Sequence, residues 1–486
     1  MSLVSPTELV PVGDLGRVHF LGMGGVGMSG IARILLQRGV EVSGSDAKDS
    51  ALLRELEELG ARVHVGHAAD QLGDADTVVV SSAVRDDNPE LLRARERGLR
   101  VLPRAAALGA LLLDRRGVAV SGTHGKTTTS SILTVVLREL GTDPGYVIGG
   151  KLVTTGLGAD AGAGEIIVAE ADESDGSFLM LSPEIAVVTN VEADHLDNYG
   201  GLDEIHDNFA AFVDRVGSTL VIGIDDPGAR KVAEVARERG KRVRTYGEAP
   251  EADYRVAEIS ARGFSTAFTL TPADAEPLEC VISVPGRHNV LNAAAAVAVA
   301  DELGHDPEVA VEGLASFTGA ARRFEPKGEA RGAAVYDSYA HHPTEIAADL
   351  EAARAALASR DAGEAEGPGR VIAVFQPHLY SRTRIFAQEF AEALTMADEV
   401  VVLEIYAARE EPEPGVDAQL IAGRVGHDRV HYRPDRTEAV STAAALARPG
   451  DIVLTMGAGD VTDLGPEIVA ALADTAGGAH TVDAAE

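Results

Sequence analysis

Val118-Ala119-Val120-Ser121-Gly122-Thr123-His124-Gly125-Lys126-Thr127-Thr128 passes from an apolar strand through a glycine loop into a helical run that reaches Leu140. In that setting backbone N–H groups and a helix N-terminus face an anion, and the lysine reaches the terminal phosphates of a nucleotide. A hydroxyl placed like that of Thr127 is suited to Mg2+. The loop is a shortened variant: Val120 stands where the common form has its first glycine, and Gly122 comes first here. Gly122, Thr123, His124, Gly125, Lys126, Thr127 and Thr128 are expected to hold ATP, with Lys126 catalytic.

Further along, two apolar strands end in polar clusters. Ile166 to Ala169 runs into Glu170-Ala171-Asp172-Glu173-Ser174-Asp175, and Ile185 to Val188 into Thr189-Asn190-Val191-Glu192-Ala193-Asp194-His195. In an open parallel sheet such strand ends line the ligand crevice. Glu170 can set its carboxylate on a metal beside Thr127, and His195 can add a neutral imidazole as a second ligand. The plain alternatives are a solvated acidic turn and a loop histidine.

Moving outward from the loop, strands alternate with helical stretches in three blocks: 1–116, 117–318 and 319–486. That rhythm predicts an α/β protein of three domains, Rossmann-like at both ends around a central phosphate-loop domain. The length of 486 residues allows about three cores. Residues 243 to 284 read as short strands, Asn292 to Leu303 as an alanine-rich helix, Ala358 to Gly369 as a solvent loop and Gly477 to Glu486 as a tail. The lone Cys280 alternates in Leu278-Glu279-Cys280-Val281-Ile282 as a buried strand thiol does, and no disulfide or cysteine zinc site is possible.

The net charge of −33 repels a phosphate backbone, and aromatics make up only 4%, which argues against nucleic acid as a partner. The N-terminus has no basic region followed by an apolar core, and the longest apolar runs, such as Ala105 to Leu113, fall short of a membrane span. A cytoplasmic protein with small-molecule partners is expected; nothing indicates an oligomer. An earlier glycine cluster, Gly22, Gly24 and Gly27 with Gly25 between, follows the strand Val18 to Leu21, and Asp46 stands at about the spacing of a ribose-binding acid. Read alone, it fits a dinucleotide or another nucleotide diphosphate on the same amides. Ser81 and Ser82, with Asn88, lie in a later strand-end loop that either helps hold it or is a plain loop.

Together these pieces resemble the Mur ligase family over about residues 17 to 470, adding Pro285-Gly286-Arg287-His288-Asn289-Val290-Leu291-Asn292 and Arg322-Arg323-Phe324. The resemblance implies an ATP-dependent ligase of cell-wall synthesis that phosphorylates a carboxylate and joins it to an amine through an acyl phosphate. It makes the first glycine cluster a UDP site. The stretches 22–30, 337–344 and 375–384 point to the branch that joins L-alanine to UDP-N-acetylmuramate; the alternative is the branch that attaches a whole tripeptide in cell-wall recycling. It implies that Arg323 steadies the phosphates, that Asn289, Asn292 and Asp337 meet the adenosine, and that Arg382, or else Arg384, grips the amino-acid carboxylate. Tyr339, His341 and His378 would shape that pocket, with Glu173 near the ammonium group and His378 a possible base. Two departures stand out. Ser338 replaces an Asp, and Ala210, about fifteen residues after His195, stands where other members carry a carbamylated lysine. Hinges are expected near Arg116-Gly117 and Thr318-Gly319.

Overall fold

In this computed structural model, residues 8–194, 198–273, 275–359, 369–408 and 410–474 are described, and all counts below refer to them. His195 and most of the expected loop and tail at 358–369 and 477–486 lie outside the described residues. The chain forms two compact units. One contains the chain through Ala257 with Thr269–Cys280 and Leu291–Phe317; the other contains Glu258–Phe268, Val281–Val290 and the chain from Thr318.

The first sheet is parallel, in the order β3-β2-β1-β4-β5, built from β1 (Val18–Leu21), β2 (Val42–Asp46), β3 (Arg62–Val65), β4 (Thr77–Val80) and β5 (Arg100–Pro103). Between them run α1 (Val26–Gln37), α2 (Ala51–Glu58) and α3 (Pro89–Glu96), and α4 (Arg104–Leu113) follows. Local chemistry starts the helices. Ser50 caps α2 by accepting from Leu53 N, and Asn88 caps α3 from Glu90 N and Leu91 N with Pro89 behind it.

The second sheet has ten strands in the order β15-β14-β13-β12-β11-β10-β6-β9-β7-β8. They are β6 (Arg116–Ser121), β7 (Gly145–Val147), β8 (Ala159–Asp160), β9 (Ile166–Glu170), β10 (Ile185–Val188), β11 (Thr219–Gly223), β12 (Arg242–Gly247), β13 (Tyr254–Arg262), β14 (Ser265–Pro272) and β15 (Leu278–Ile282). Helices α5 (Lys126–Glu139), α6 (Leu202–Arg215), α7 (Pro227–Glu238), α8 (Arg287–Glu302) and α9 (Pro307–Glu312) complete this stretch. Cys280 is 2% exposed on β15, and burial pushes its thiol up to about 12.

At the expected hinge, Arg116-Gly117, the first two blocks pack closely. Ala105 through Leu112 are buried on α4, and β6 begins only three residues after that helix ends. A Cβ on Gly117 would stand 3.0 Å from that of Leu112. One apolar core runs without interruption from Phe20 and Ile31 to Phe178, Phe209 and Phe212. The first two expected domains therefore share one unit.

The third sheet belongs to the second unit and reads β16-β17-β21-β18-β19-β20, antiparallel only at β16 (Glu325–Ala330) against β17 (Ala333–Ser338). The parallel strands are β18 (Val371–Phe375), β19 (Glu399–Val402), β20 (Val430–Tyr432) and β21 (Ile452–Met456). α10 (Pro343–Ala358), α11 (Tyr380–Leu394) and α12 (Gln419–Ala422) pack in one apolar cluster with this sheet. α13 (Arg436–Leu446) and α14 (Leu464–Asp474) pack in another, as both faces of a parallel sheet require. No helix among the described residues is long and apolar enough to cross a membrane.

Candidate active site

The loop between β6 and α5 is tied to the strand end after β10. Thr123 N donates to Asn190 O at 3.0 Å and His124 N to Asn190 Oδ1 at 2.8 Å. Thr189 Oγ1 donates to His124 O at 2.6 Å, and Glu192 N to Thr123 Oγ1 at 2.8 Å. Gly122, at φ +127°, leaves no room for a side chain, because an added Cβ would lie 2.1 Å from Thr189 Oγ1. The amides of Thr123 and His124 are thus occupied by Asn190. The groups left for an anion are the first amides of α5, at Lys126, Thr127 and Thr128, which have no acceptor within the helix.

Lys126 Nζ is held by Gly122 O at 2.7 Å, Thr123 O at 3.1 Å and Glu173 Oε1 at 2.9 Å. Burial pushes the ammonium toward its neutral form, but Glu173, Asp172 and Glu170 more than reverse this and keep it charged. Glu173 is 3% exposed; burial pushes its carboxyl up to about 7 against the pull of Lys126. The sequence placed Glu173 beside an amino-acid ammonium; in the fold its cationic partner is Lys126. Thr127 Oγ1 donates to Glu170 Oε2 at 2.9 Å, and Gly149 N donates to the same oxygen at 2.7 Å. Asn292 Oδ1 accepts from Thr129 Oγ1 at 3.0 Å and flanks Gly125.

The earlier glycine loop joins β1 to α1 and is built differently. Gly22 N and Met23 N donate to Ser45 O, at 2.9 and 3.0 Å, and Gly24 N donates to Asp46 Oδ2 at 2.9 Å. Gly22 adopts φ +79° against Ser81, and Gly25 precedes the first turn of α1. The site expected at Gly22, Gly24, Gly25, Gly27, Asp46 and Ser81 is thus gathered at one sheet edge. Ser82 is exposed in the same loop, and Asn88 serves as the cap of α3. The sequence reading missed Arg104, whose guanidinium lies 3.1 Å from where a Cβ on Gly27 would stand and helps hold the Asp172 carboxyl low. A strand followed by Pro103-Arg104 was its only sequence signal.

In the second unit Arg323 lies 4.9 Å from the Tyr339 ring centre. It sits between Arg322 (φ +59°) and Phe324 (φ +54°), both in the left-handed region that side chains avoid. Asp337, expected at a ribose, instead faces protein. It is 0% exposed and accepts from Thr455 Oγ1 at 2.7 Å, Thr462 Oγ1 at 2.8 Å and Arg322 Nε at 3.2 Å. Asn289 is buried, with Nδ2 donating to Pro285 O at 2.7 Å. Tyr339, His341, His378 and Tyr406 form a chain of ring contacts, with Tyr339 edge-on to His341 at 5.1 Å. Arg382 is 8% exposed, whereas Arg384 is exposed and pairs with Glu413 at 3.0 Å. Ser338 donates to Asp349, whose carboxyl burial pushes up to about 7. An Asp at 338 would confront that acid with another, so the serine removes one charge from a buried pair.

Three α/β sheets with a phosphate loop on the middle one define a class of multidomain nucleotide-dependent enzyme. The chain belongs to the Mur ligase family. Its models match at residues 17–116 ("Mur ligase family, catalytic domain"), 120–300 ("Mur ligase middle domain") and 322–459 ("Mur ligase, glutamate ligase domain"). The chain is 75% identical over 472 residues to the UDP-N-acetylmuramate–L-alanine ligase of Thermobifida fusca, covering 97% of this chain and 100% of that one. It is 56% identical to the enzyme of the same name from Kineococcus radiotolerans, covering 95% and 98%. Among solved structures, the UDP-N-acetylmuramate–alanine ligase of Thermotoga maritima is similar at a TM-score of 0.76 and 29% identity, covering 94% and 99%. A murein peptide ligase from Psychrobacter arcticus is similar at 0.65 and 25%, with the same coverage.

Proposed function

We propose that this protein joins L-alanine to the carboxylate of UDP-N-acetylmuramate at the expense of ATP, in the cytoplasm, as a step of peptidoglycan synthesis. The observation that carries this reading is the full-length 75% identity to a ligase of that name. The site chemistry supports it. The γ-phosphoryl group passes to the muramoyl carboxylate, and the resulting acyl phosphate is attacked by the amine with loss of phosphate. Both steps gather negative charge, so positioning and cations carry the catalysis. Lys126 supplies a charged ammonium against the phosphates, and the amides at the start of α5 supply donors.

The Thr127 hydroxyl and the Glu170 carboxylate are adjacent hard oxygen donors, the set Mg2+ takes. With His195, they are the residues that would hold it, where it would neutralise phosphate charge. Arg323 steadies the nucleotide, with Asn289 and Asn292 toward the adenosine and Asp337 holding Arg322 in place. The buried Arg382 is favoured over the exposed Arg384 for the amino-acid carboxylate, with Tyr339, His341 and His378 around it. We place domain boundaries near 116 and 318, with motion at the second only.

Phosphate release from ATP and Mg2+ with UDP-N-acetylmuramate tests the proposal, with L-alanine or the tripeptide added in parallel. Release requiring both the sugar nucleotide and L-alanine is expected. Release with the tripeptide alone would move the chain to the recycling branch, and none with either would sink both.

A further inference from the structure

The first sheet holds a buried polar chain that neither glycine loop accounts for. Glu90, on the first turn of α3, is 0% exposed, as is His19 on β1. His19 Nε2 donates to Glu90 Oε2 at 2.6 Å, and His19 Nδ1 meets Ser43 Oγ at 2.8 Å. The other carboxylate oxygen, Oε1, accepts from Ser45 Oγ at 2.8 Å and meets His67 Nδ1 at 2.9 Å; Ser45 Oγ and His67 Nδ1 also lie 2.9 Å apart. One carboxylate therefore joins β1, β2 and the loop after β3. Burial alone would push this carboxyl up, but its bonds from His19, Ser45 and His67 more than offset that and hold it ionised.

An ionised carboxylate only accepts, so His67 Nδ1 beside it must carry the proton. A bare Nδ1 would point its lone pair at a negative oxygen. In the Nδ1–H tautomer the other ring nitrogen, Nε2, is left bare and accepting. His67 follows the end of β3, where Val65 is level with Asp46 and Gly66 N donates to Asp46 O at 2.7 Å. Its side chain keeps 21% of its surface open. In sheets of this kind a diphosphate lies over the end of β1 and the nucleoside runs toward the end of β2, next to β3. Ser45 contributes twice: its hydroxyl to Glu90 and its carbonyl to Gly22 and Met23 of the glycine loop.

We propose that Glu90 is a positioning residue for the nucleotide substrate, locking His67 in the Nδ1–H form so that Nε2 accepts from an N–H or O–H donor on the uridine half. The role rests on the sugar-nucleotide reading proposed above. A purely structural Glu90 would tie α3 to the sheet and leave substrate affinity alone, so the test separates the two. Wild-type turnover with UDP-N-acetylmuramate and L-alanine is measured first; its absence would strike the proposed function rather than Glu90. Given turnover, E90Q puts an NH2 group where an acceptor stood, and the KM for UDP-N-acetylmuramate should rise about tenfold. The KM for ATP should stay within about twofold. H67A should give the same rise, and E90Q should add nothing in the H67A background, since the two act as one unit. Nitrogen NMR of histidine-labelled full-length protein should show His67 protonated at Nδ1 and bare at Nε2, a readout that holds even if E90Q folds poorly. Equal rises in both KM values, additive effects of the two substitutions, or a protonated Nε2 in the wild type would each overturn the role.

Discussion

The two glycine loops occupy equivalent places, each between a parallel strand and the helix that follows, and each has amides tied to acceptors on a neighbouring strand end, yet they differ in where the cation sits. The loop at 22–27 is braced by carbonyl and carboxylate acceptors: Ser45 O takes two of its amides and Asp46 takes a third. Its cation, Arg104, stands outside on a neighbouring helix. The loop at 122–126 carries its cation within it, wrapped by its own carbonyls and by a buried acid. A diphosphate that is only carried needs amides and shape. A phosphoryl group that is transferred needs a charge at the point where more charge develops. On the function proposed above, this difference in construction would divide binding from chemistry in this chain.

If that division holds, K126A gives the largest effect of all. Phosphate release should fall by about a hundred- to a thousandfold, with the KM for UDP-N-acetylmuramate little changed. A comparable loss from R104A would erase the distinction. Backbone tolerance should differ next. G122A forces a Cβ to 2.1 Å from Thr189 Oγ1 at φ +127°, and should cost about 3 kcal/mol in denaturant unfolding. G22A, at φ +79° with Ser81 Cβ 3.0 Å away, should cost about 1–2 kcal/mol. A reversed order would mean the first loop is the more rigid. Smaller again is D46A, which frees Gly24 N. It should raise the KM for the sugar nucleotide about fivefold and leave that for ATP unmoved.

The two loops were also unequally legible. Gly122 to Thr128 announced itself, because few other uses exist for a lysine after a glycine turn between a strand and a helix. What the motif could not convey is that Asn190 consumes the amides of Thr123 and His124, since that contact joins residues far apart in sequence. Glu90 and Arg104 were passed over for a similar reason: an acid in a first helical turn and an arginine after a proline are ordinary locally. Their meaning comes from which strands the sheet sets side by side. Strands followed the same rule. β1, β6, β9 and β10 are buried apolar runs and were read, whereas β3 alternates exposed Arg62 and half-buried His64 and was not. β11 is fully buried and apolar and was simply overlooked. That the blocks on either side of Arg116-Gly117 share a core was also hidden, because sequence shows a change of block and not its packing.

The last distinction is a proton. The Glu173 carboxyl is pushed up to about 7 by burial even while Lys126 pulls it down. At about pH 8 it is therefore mostly ionised and paired with Lys126. When nucleotide phosphates draw that ammonium away, Glu173 loses its attraction and gains a negative neighbour, and both changes raise its affinity for a proton. Binding of ADP at about pH 8 should then take up a fraction of a proton, seen by calorimetry in two buffers of different ionisation enthalpy. Below about pH 6 the group is already protonated and the uptake should vanish. E173Q should abolish it at every pH. UDP-N-acetylmuramate binding at the first loop should be proton-silent, since Glu90 there is held ionised by three donors that stay in place. Uptake that persists in E173Q would detach it from the Lys126–Glu173 pair. Uptake on sugar-nucleotide binding would show that the first loop, too, stores charge for its ligand to displace.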